Sequence, residues 1–141
     1  PAGDDEPAVQ AAIASLGARA GRRVERVGVV DDATRDRELS RATVLAFPSE
    51  YEGFGFPVLE AMAAGTAVVT TSAGSLSEVA GEAAVIVPVG DVEALGAALA
   101  AVVSDVGRQR ELVIAGLERA RTFSWDRTVD AMIDLYDTGA E

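Results

Sequence analysis

The chain has 141 residues, 49% of them hydrophobic, and a formal net charge of −11. This length predicts one domain with a buried core, and the negative charge argues against binding to nucleic acid or to an anionic membrane surface. The sequence contains no Cys, His or Lys, which excludes disulfides, thiolate metal sites, an imidazole base and a lysine imine.

The N-terminal part of the chain predicts a helix, a strand and a second helix. An Ala-rich amphipathic helix comes first and is expected to end at Gly17 and Gly21. Val24–Val30 alternates and is rich in β-branched residues, which is typical of a strand. Asp31 and Asp32 end this strand and open the next helix.

The next stretch, PSEYEGFGFPVLEAMAAG, predicts a loop between a buried strand and a short helix. Residues 43–47 form the apolar strand that precedes it. Gly53 and Gly55 allow the loop backbone to approach a ligand closely. Pro57 suits the first helical position and Gly65 suits the left-handed position after the helix. A helix start behind a glycine loop predicts a seat for a phosphate or diphosphate.

Two carboxylates, Glu52 and Glu60, bracket this seat with seven residues between them. A carboxylate repels phosphate but accepts hydrogen bonds from neutral hydroxyls such as those of a sugar. The pattern therefore indicates a polyol next to a phosphate. The alternative is structural: Glu60 only favours an early helical turn, and Glu52 is a solvated loop acid.

Two further strands are predicted in the C-terminal half, at Ala67–Thr70 and Ala83–Val87. Ser75 and Glu78 have the spacing of a capping box for a short helix between them, and Asp91 caps the helix after the last strand. Four strands that alternate with helices predict an α/β fold with a parallel sheet. Ligands of such sheets bind at the carboxyl ends of the strands.

Two amphipathic helices, at Arg108–Arg121 and Ser124–Asp137, are expected to complete the chain. The apolar residues of the second helix are spaced along one face; they are Trp125, Val129, Met132, Ile133 and Tyr136. We interpret the aromatic residues of this face as core or interface and not as a ligand-stacking platform.

The segments EGFGFPVLEAMAAGTAVVTT and GSLSEVAGEAAVIVP resemble the donor site of the family 4, or group 1, retaining glycosyltransferases of the GT-B fold. The similarity extends from about Val24 to Tyr136. It implies a Rossmann-like three-layer α/β sandwich with a parallel sheet of about four strands, helices on both faces and a C-terminal helical pair. Residues 1–141 would then be a single domain, the truncated C-terminal half of a bacterial two-domain enzyme.

The resemblance also implies roles for individual residues. Glu52 would lie against the transferred sugar as the catalytic residue, and Glu60 would bind the ribose. The loop amides that address the sugar and the diphosphate would be those of Gly53, Phe54, Gly55 and Phe56. The nucleotide would further be contacted by Val29, Val30 and Asp31. For Asp31 and Asp32 a purely capping role is an equally good interpretation.

The resemblance implies that partners of this site lie outside the chain. The Arg and Lys residues that grip the diphosphate, and the wall that binds an acceptor glycan, lipid or small molecule, would belong to missing segments and to an N-terminal domain. We therefore expect little or no sugar transfer by this chain alone. The orphaned apolar face of the last helix is expected to favour self-association.

We expect no cofactor and no metal, because the acids are spaced for hydroxyls and no third ligand is near them. No apolar run could span a bilayer and no signal peptide opens the chain, so we expect a soluble cytoplasmic protein that reaches the inner face of the membrane only through its missing domain. Two other functions stay open: a non-catalytic nucleotide-binding or interaction module, and a GT-B-type nucleotide-sugar epimerase.

Overall fold

The computed structural model describes residues 6–16 and 24–138, and the chain forms two compact units, Pro1–Thr34 and Arg35–Glu141. In the first unit, α1 spans Glu6–Leu16, so the N-terminal helix is confirmed. Its predicted end at Gly17 and Gly21 lies outside the described residues.

Residues 24–30 do not form the predicted strand. They are irregular and exposed, and Val29 exposes 97% of its surface. β-branched residues favour a strand only where a neighbouring strand takes up the backbone hydrogen bonds and the side chains become buried. No strand of the described structure pairs with residues 24–30, so the prediction of a strand that ends at Val30 is wrong.

The sheet of the second unit has three parallel strands in the order β1, β2, β3, one fewer than predicted. They are β1 (Val44–Phe47), β2 (Ala67–Thr71) and β3 (Val85–Val87). The register pairs Leu45 with Val68, and Thr70 with both Phe47 and Ile86. All five residues of the central strand β2 are buried, as expected for a parallel strand covered on both faces.

Six helices accompany this sheet: α2 (Asp32–Arg41), α3 (Phe56–Ala63), α4 (Leu76–Ala80), α5 (Val92–Ser104), α6 (Val106–Ala120) and α7 (Trp125–Thr138). Successive residues of β2 point into two separate cores. Val68 packs with Val58, Met62 and other side chains of α3 and α4. Val69 packs on the opposite face with Val102 of α5 and Leu112 of α6. Helices therefore cover both faces of the sheet, as predicted.

Local signals place the helix ends. The Asp91 carboxylate accepts a hydrogen bond from the Ala94 amide at 2.8 Å, which confirms it as the cap of α5. At the end of α3, Gly65 has a φ of 77°, as predicted. Its N–H donates to the Met62 carbonyl, and the Thr66 N–H donates to the Ala61 carbonyl, which satisfies the last carbonyls of the helix.

The last helix, α7, has an exposed apolar face. Ser124 caps it by accepting a hydrogen bond from the Arg127 amide at 3.2 Å, as predicted. None of its residues is buried, and Trp125 exposes 78% of its surface. We call Trp125, Val129, Met132, Ile133 and Tyr136 the α7 face. None of the helices in the described part of the chain has both the length and the apolar composition that crossing a membrane requires.

Candidate functional site

Residues 48–55 join the carboxyl end of β1 to α3, and we call residues 52–56 the glycine loop. Buried threonines of β2 hold the chain where it leaves β1. The Thr70 hydroxyl donates to the Phe47 carbonyl at 2.9 Å, and the Thr71 hydroxyl donates to the Ser49 carbonyl. Both threonines are buried, so these bonds satisfy hydroxyls that water does not reach. The chain thus leaves the sheet in a fixed direction.

A second segment, Gly74 and Ser75, holds the glycine loop from the side. The Ser75 N–H donates to the Glu52 carbonyl at 3.4 Å, and the Ser75 hydroxyl donates to the Phe54 carbonyl at 2.9 Å. Gly74 has a φ of 52°, and a Cβ at this position would lie 2.2 Å from the Glu52 carbonyl oxygen. Only glycine permits this close approach.

The capping box predicted for Ser75 and Glu78 is therefore wrong. Ser75 precedes α4, but its side chain makes no capping hydrogen bond to that helix. Its hydroxyl is used by the Phe54 carbonyl instead. Ser75 and Phe54 are 21 positions apart, and no local pattern in the sequence indicates a contact between them.

The loop ends in a row of amides at the start of α3. Gly55 precedes the helix with a φ of 100°, a conformation that other residues rarely adopt. The helix begins at Phe56, so Pro57 occupies its second position and not the predicted first. Within the described residues, the N–H groups of Gly53, Phe54, Gly55 and Phe56 donate to no protein acceptor. These amides lie at the positive end of the helix dipole and can donate to an anion.

Glu52 is half-buried in this loop and contacts Ser49. The Ser49 hydroxyl lies 3.2 Å from the Glu52 carboxylate and 3.0 Å from the Tyr51 carbonyl. Because a hydroxyl has one proton, Ser49 shares it between these two acceptors. The remaining lone pairs of the Glu52 carboxylate can accept hydrogen bonds from a ligand.

Glu60 lies in the second turn of α3 and forms an ion pair that the sequence did not reveal. Arg35 Nη1 of α2 is 3.5 Å from Glu60 Oε1. The side chains of Arg35 and Glu60 remain 40% and 35% exposed, respectively. The sequence has no basic residue from Pro48 to Gly65, and only folding brings Arg35 to Glu60.

Aromatic rings brace the tip of the loop. The Phe54 ring centroid is 4.7 Å from that of Phe56 and 6.0 Å from that of Phe123, the latter in an edge-to-face arrangement. The Arg119 guanidinium lies 4.9 Å from the Phe123 ring centroid and donates to the carbonyl of Val79 at the end of α4. The end of α6 therefore supports the loop.

An open groove of about 840 Å³ adjoins the loop. It is shared by the site and the last helix, since Phe54, Phe56 and Glu60 line one side and Trp125 and Met132 line the other. The groove is mainly apolar, and the charged side chains among its lining residues are Glu60 and Arg127.

The residues predicted to contact the nucleotide base lie in the first unit. Asp31 precedes α2, and its carboxylate accepts a hydrogen bond from the Thr34 amide at 2.8 Å. Hydrogen bonds from the Thr34 side chain and then from its backbone lower the pKa of Asp31 below its ordinary value of 3.8. The capping interpretation of Asp31 is confirmed, whereas nucleotide contacts by Val29, Val30 and Asp31 stay predictions.

The structure therefore places Glu52, the amides of Gly53 to Phe56, and Glu60 on the loop and helix that follow β1. Comparison with known proteins identifies the family to which the chain belongs. The chain belongs to the group 1 glycosyltransferases, because residues 2–105 match the family described as "Glycosyl transferases group 1".

Two relatives illustrate this membership. The chain is 34% identical to an O-antigen chain mannosyltransferase B of Escherichia coli, over 80% of this chain and 30% of that protein. It is 38% identical to a phosphatidyl-myo-inositol mannosyltransferase of Mycobacterium leprae, over 89% of this chain and 35% of that protein. The chain thus spans about a third of the length of these curated relatives.

Two solved structures share the fold. A sucrose-phosphate synthase of Thermosynechococcus elongatus matches with a TM-score of 0.81 and 31% identity, over 96% of this chain and 34% of that one. The C-terminal domain of a group 1 glycosyl transferase of Francisella tularensis matches with a TM-score of 0.70 and 25% identity, over 84% of this chain and 63% of that one. The Rossmann-like α/β fold and the family resemblance inferred from the sequence are confirmed.

Proposed function

We propose that this chain is the donor-binding half of a retaining glycosyltransferase. It binds a nucleotide diphosphate sugar and, together with an N-terminal domain, transfers the sugar to an acceptor hydroxyl. The observation that carries the proposal is the row of amides from Gly53 to Phe56, unpaired among the described residues and placed between Glu52 and Glu60. The amides suit the diphosphate, and the carboxylates suit hydroxyls on either side of it.

Each acid receives a separate role in this proposal. Glu52 accepts hydrogen bonds from the transferred sugar, and the Ser49 hydroxyl donates to its carboxylate at 3.2 Å. Glu60 accepts from the ribose hydroxyls. Neither carboxylate binds the diphosphate, which it would repel, and no metal ion takes part in our proposal. Val29, Val30 and Asp31 are proposed to contact the nucleotide.

Donor binding by this chain has to overcome its net charge of −11. Four amides and a helix dipole favour the diphosphate locally, but the long-range field of the protein repels it. We therefore expect weak binding that strengthens with added salt, because salt screens the repulsion between separated charges more than contacts at short range.

The names of two relatives bear on the sugar and the acceptor. The relatives named above are mannosyltransferases, and one name includes a phosphatidyl-inositol. We propose that the acceptor, whether glycan, lipid or small molecule, binds through the N-terminal domain. A cytoplasmic enzyme that meets the inner face of the membrane through that domain would suit a lipid acceptor.

The proposal is tested by titrating UDP-, GDP- and ADP-sugars and the free diphosphates into the chain by calorimetry or NMR. The variants Glu60→Ala and Glu52→Ala are compared with Glu111→Ala, which removes a carboxylate of α6 that is paired only with Arg108 in the described structure. Loss of one hydrogen bond to a charged acceptor is expected to weaken binding about tenfold or more.

The outcomes separate the proposal from its alternatives. We expect the chain to prefer one nucleotide base. Glu60→Ala should weaken the binding of every nucleotide, whereas Glu52→Ala should abolish only the tighter binding of the nucleotide sugar over the free diphosphate. Affinity that ignores both the sugar and Glu52 would indicate a nucleotide-binding module without transferase chemistry. An epimerase would be recognised by its product, an altered nucleotide sugar formed without any acceptor.

A further inference from the structure

Arg35 contacts two carboxylates at once. Its Nη1 lies 3.5 Å from Glu60 Oε1, while its Nε and Nη2 lie 3.2 Å and 3.0 Å from Asp36 Oδ1. The guanidinium is planar and rigid, so a contact on one edge fixes the direction of the other. Asp36 therefore anchors Arg35 in an orientation that presents Nη1 to Glu60.

This arrangement does not suit Arg35 for gripping a phosphate. The two carboxylates outweigh its single positive charge, so the cluster as a whole carries a net negative charge and repels an anion. The contacts favour a role toward Glu60 instead.

The Glu60 carboxylate is held by one oxygen only. Oε1 faces Arg35, whereas Oε2 has no hydrogen-bond donor among the residues that the structure describes. A partly exposed glutamate has several rotatable bonds, and ordering it on ligand binding costs conformational entropy. A partner that orders Glu60 in advance removes part of that cost.

We propose that Arg35 is a positioning residue for ribose recognition. By holding Oε1 of Glu60, it keeps Oε2 available to accept hydrogen bonds from the ribose hydroxyls of the nucleotide. This inference rests on the proposed function, in which Glu60 binds the ribose. Arg35 itself contacts neither the ribose nor the phosphates.

The test uses Arg35→Gln and Glu60→Gln, with Arg37→Gln as the matched control. Arg37 lies on the same helix and is exposed, and it pairs with its neighbour Glu38 at 3.4 Å. It therefore reproduces the change in net charge without touching Glu60. Each protein is titrated with UDP, GDP and ADP, and the best of these is compared with its 2′-deoxy and 3′-deoxy forms and with its nucleoside.

We expect the unchanged chain to prefer the ribonucleotide over its deoxy forms by about tenfold, the value of a hydrogen bond to a charged acceptor. Glu60→Gln should reduce this preference strongly. Arg35→Gln should reduce the preference for the ribonucleotide by about threefold or more. It should weaken binding of the nucleoside and of the nucleoside diphosphate by equal factors. Arg37→Gln should leave the preference unchanged.

Three results would overturn the inference, and they are distinguishable. If Glu60→Gln lowers the ribose preference but Arg35→Gln behaves like Arg37→Gln, Arg35 has no positioning role and the proposed function stands. If Arg35→Gln weakens the diphosphate much more than the nucleoside, Arg35 is a phosphate ligand. If the unchanged chain binds no nucleotide, or Glu60→Gln changes nothing, the role of Glu60 in the proposed function fails, and the inference fails with it.

Discussion

Gly74 is the residue at which the backbone of the site tolerates least change. Its Cα lies so close to the Glu52 carbonyl that an added Cβ would come within 2.2 Å of the oxygen, and its φ of 52° is unfavourable for alanine. The atom in the way belongs to the backbone and not to a flexible side chain. Any relief of the clash therefore displaces the glycine loop itself.

We expect Gly74→Ala to lower the free energy of unfolding by about 1–3 kcal/mol, through left-handed strain and the displaced carbonyl. Nucleotide binding should weaken as well, because Glu52 and the amides move with the loop. Thermal unfolding and calorimetric titration measure the two effects.

Gly96→Ala is the matched control for this substitution. Gly96 lies inside α5, and a Cβ there would meet nothing within 4 Å. Alanine should stabilise this helix by roughly 0.5–1 kcal/mol. If Gly74→Ala were as well tolerated as Gly96→Ala, the close approach of Gly74 to the loop would be refuted.

The start of α2 depends on pH through Asp31. Its carboxylate caps the helix, and the hydrogen bonds from Thr34 lower its folded-state pKa below 3.8. Since the folded pKa is depressed, the cap contributes stability above the unfolded value, and this contribution is lost as the pH falls through the folded pKa. Neutral and mildly acidic solutions should therefore leave the cap intact.

An NMR titration of the Thr34 amide tests this capping role. We expect its chemical shift to change with a midpoint below pH 3.8, and we expect Asp31→Asn to abolish the transition while the amide stays bonded to the Asn oxygen. Asp126→Asn, at the start of α7, serves as a control that should leave the Thr34 titration intact. A midpoint at or above 3.8 in the unchanged chain would contradict the hydrogen-bonded cap.

Elements whose signals are local could be predicted from the sequence, and elements that depend on distant partners could not. The strand before the glycine loop, α3 with Gly65, and the Asp91 cap of α5 all follow from residues within a few positions of one another. The strand predicted at Val24–Val30 failed because its valines carry β propensity but find no pairing strand.

The candidate site divides in the same way. The glycine loop and its two acids stand in one short stretch of sequence, and the resemblance of that stretch to the group 1 glycosyltransferases was what predicted a site there; their spacing alone left a structural role open. The contacts that hold them come from elsewhere: Ser75 bonds the Phe54 carbonyl across 21 positions, and Arg35 reaches Glu60 from another helix. The capping role predicted for Ser75 is wrong because its hydroxyl donates to the Phe54 carbonyl instead of capping α4. The local sequence pattern gives no sign of this tertiary contact.

At the scale of the whole molecule, the fold leaves the α7 face exposed. Its five side chains are about half exposed or more, and two of them, Trp125 and Met132, line the groove beside Phe54 and Phe56. Apolar patches of this kind favour association. We propose that two copies of this chain associate through the α7 face.

Sedimentation or light scattering over a range of protein concentrations measures this association. We expect Ile133→Glu, in the middle of the α7 face, to shift the equilibrium toward monomer because it would bury an unpaired charge. Val103→Glu places the same charge on an exposed valine of α5 and should have no effect. A monomer at every concentration, or equal effects of both substitutions, would contradict association through this face.

The amides of the glycine loop are the groups that we propose bind the nucleotide diphosphate, and their NMR signals test this binding most directly. An ¹⁵N-labelled sample titrated with UDP, GDP and ADP reports on each of these amides separately. We expect Gly53, Phe54, Gly55 and Phe56 to shift together with one Kd for the preferred nucleotide, and to shift little with its nucleoside. Saturable shifts confined to other parts of the chain, or no shift with any of the three diphosphates, would contradict the donor-site assignment.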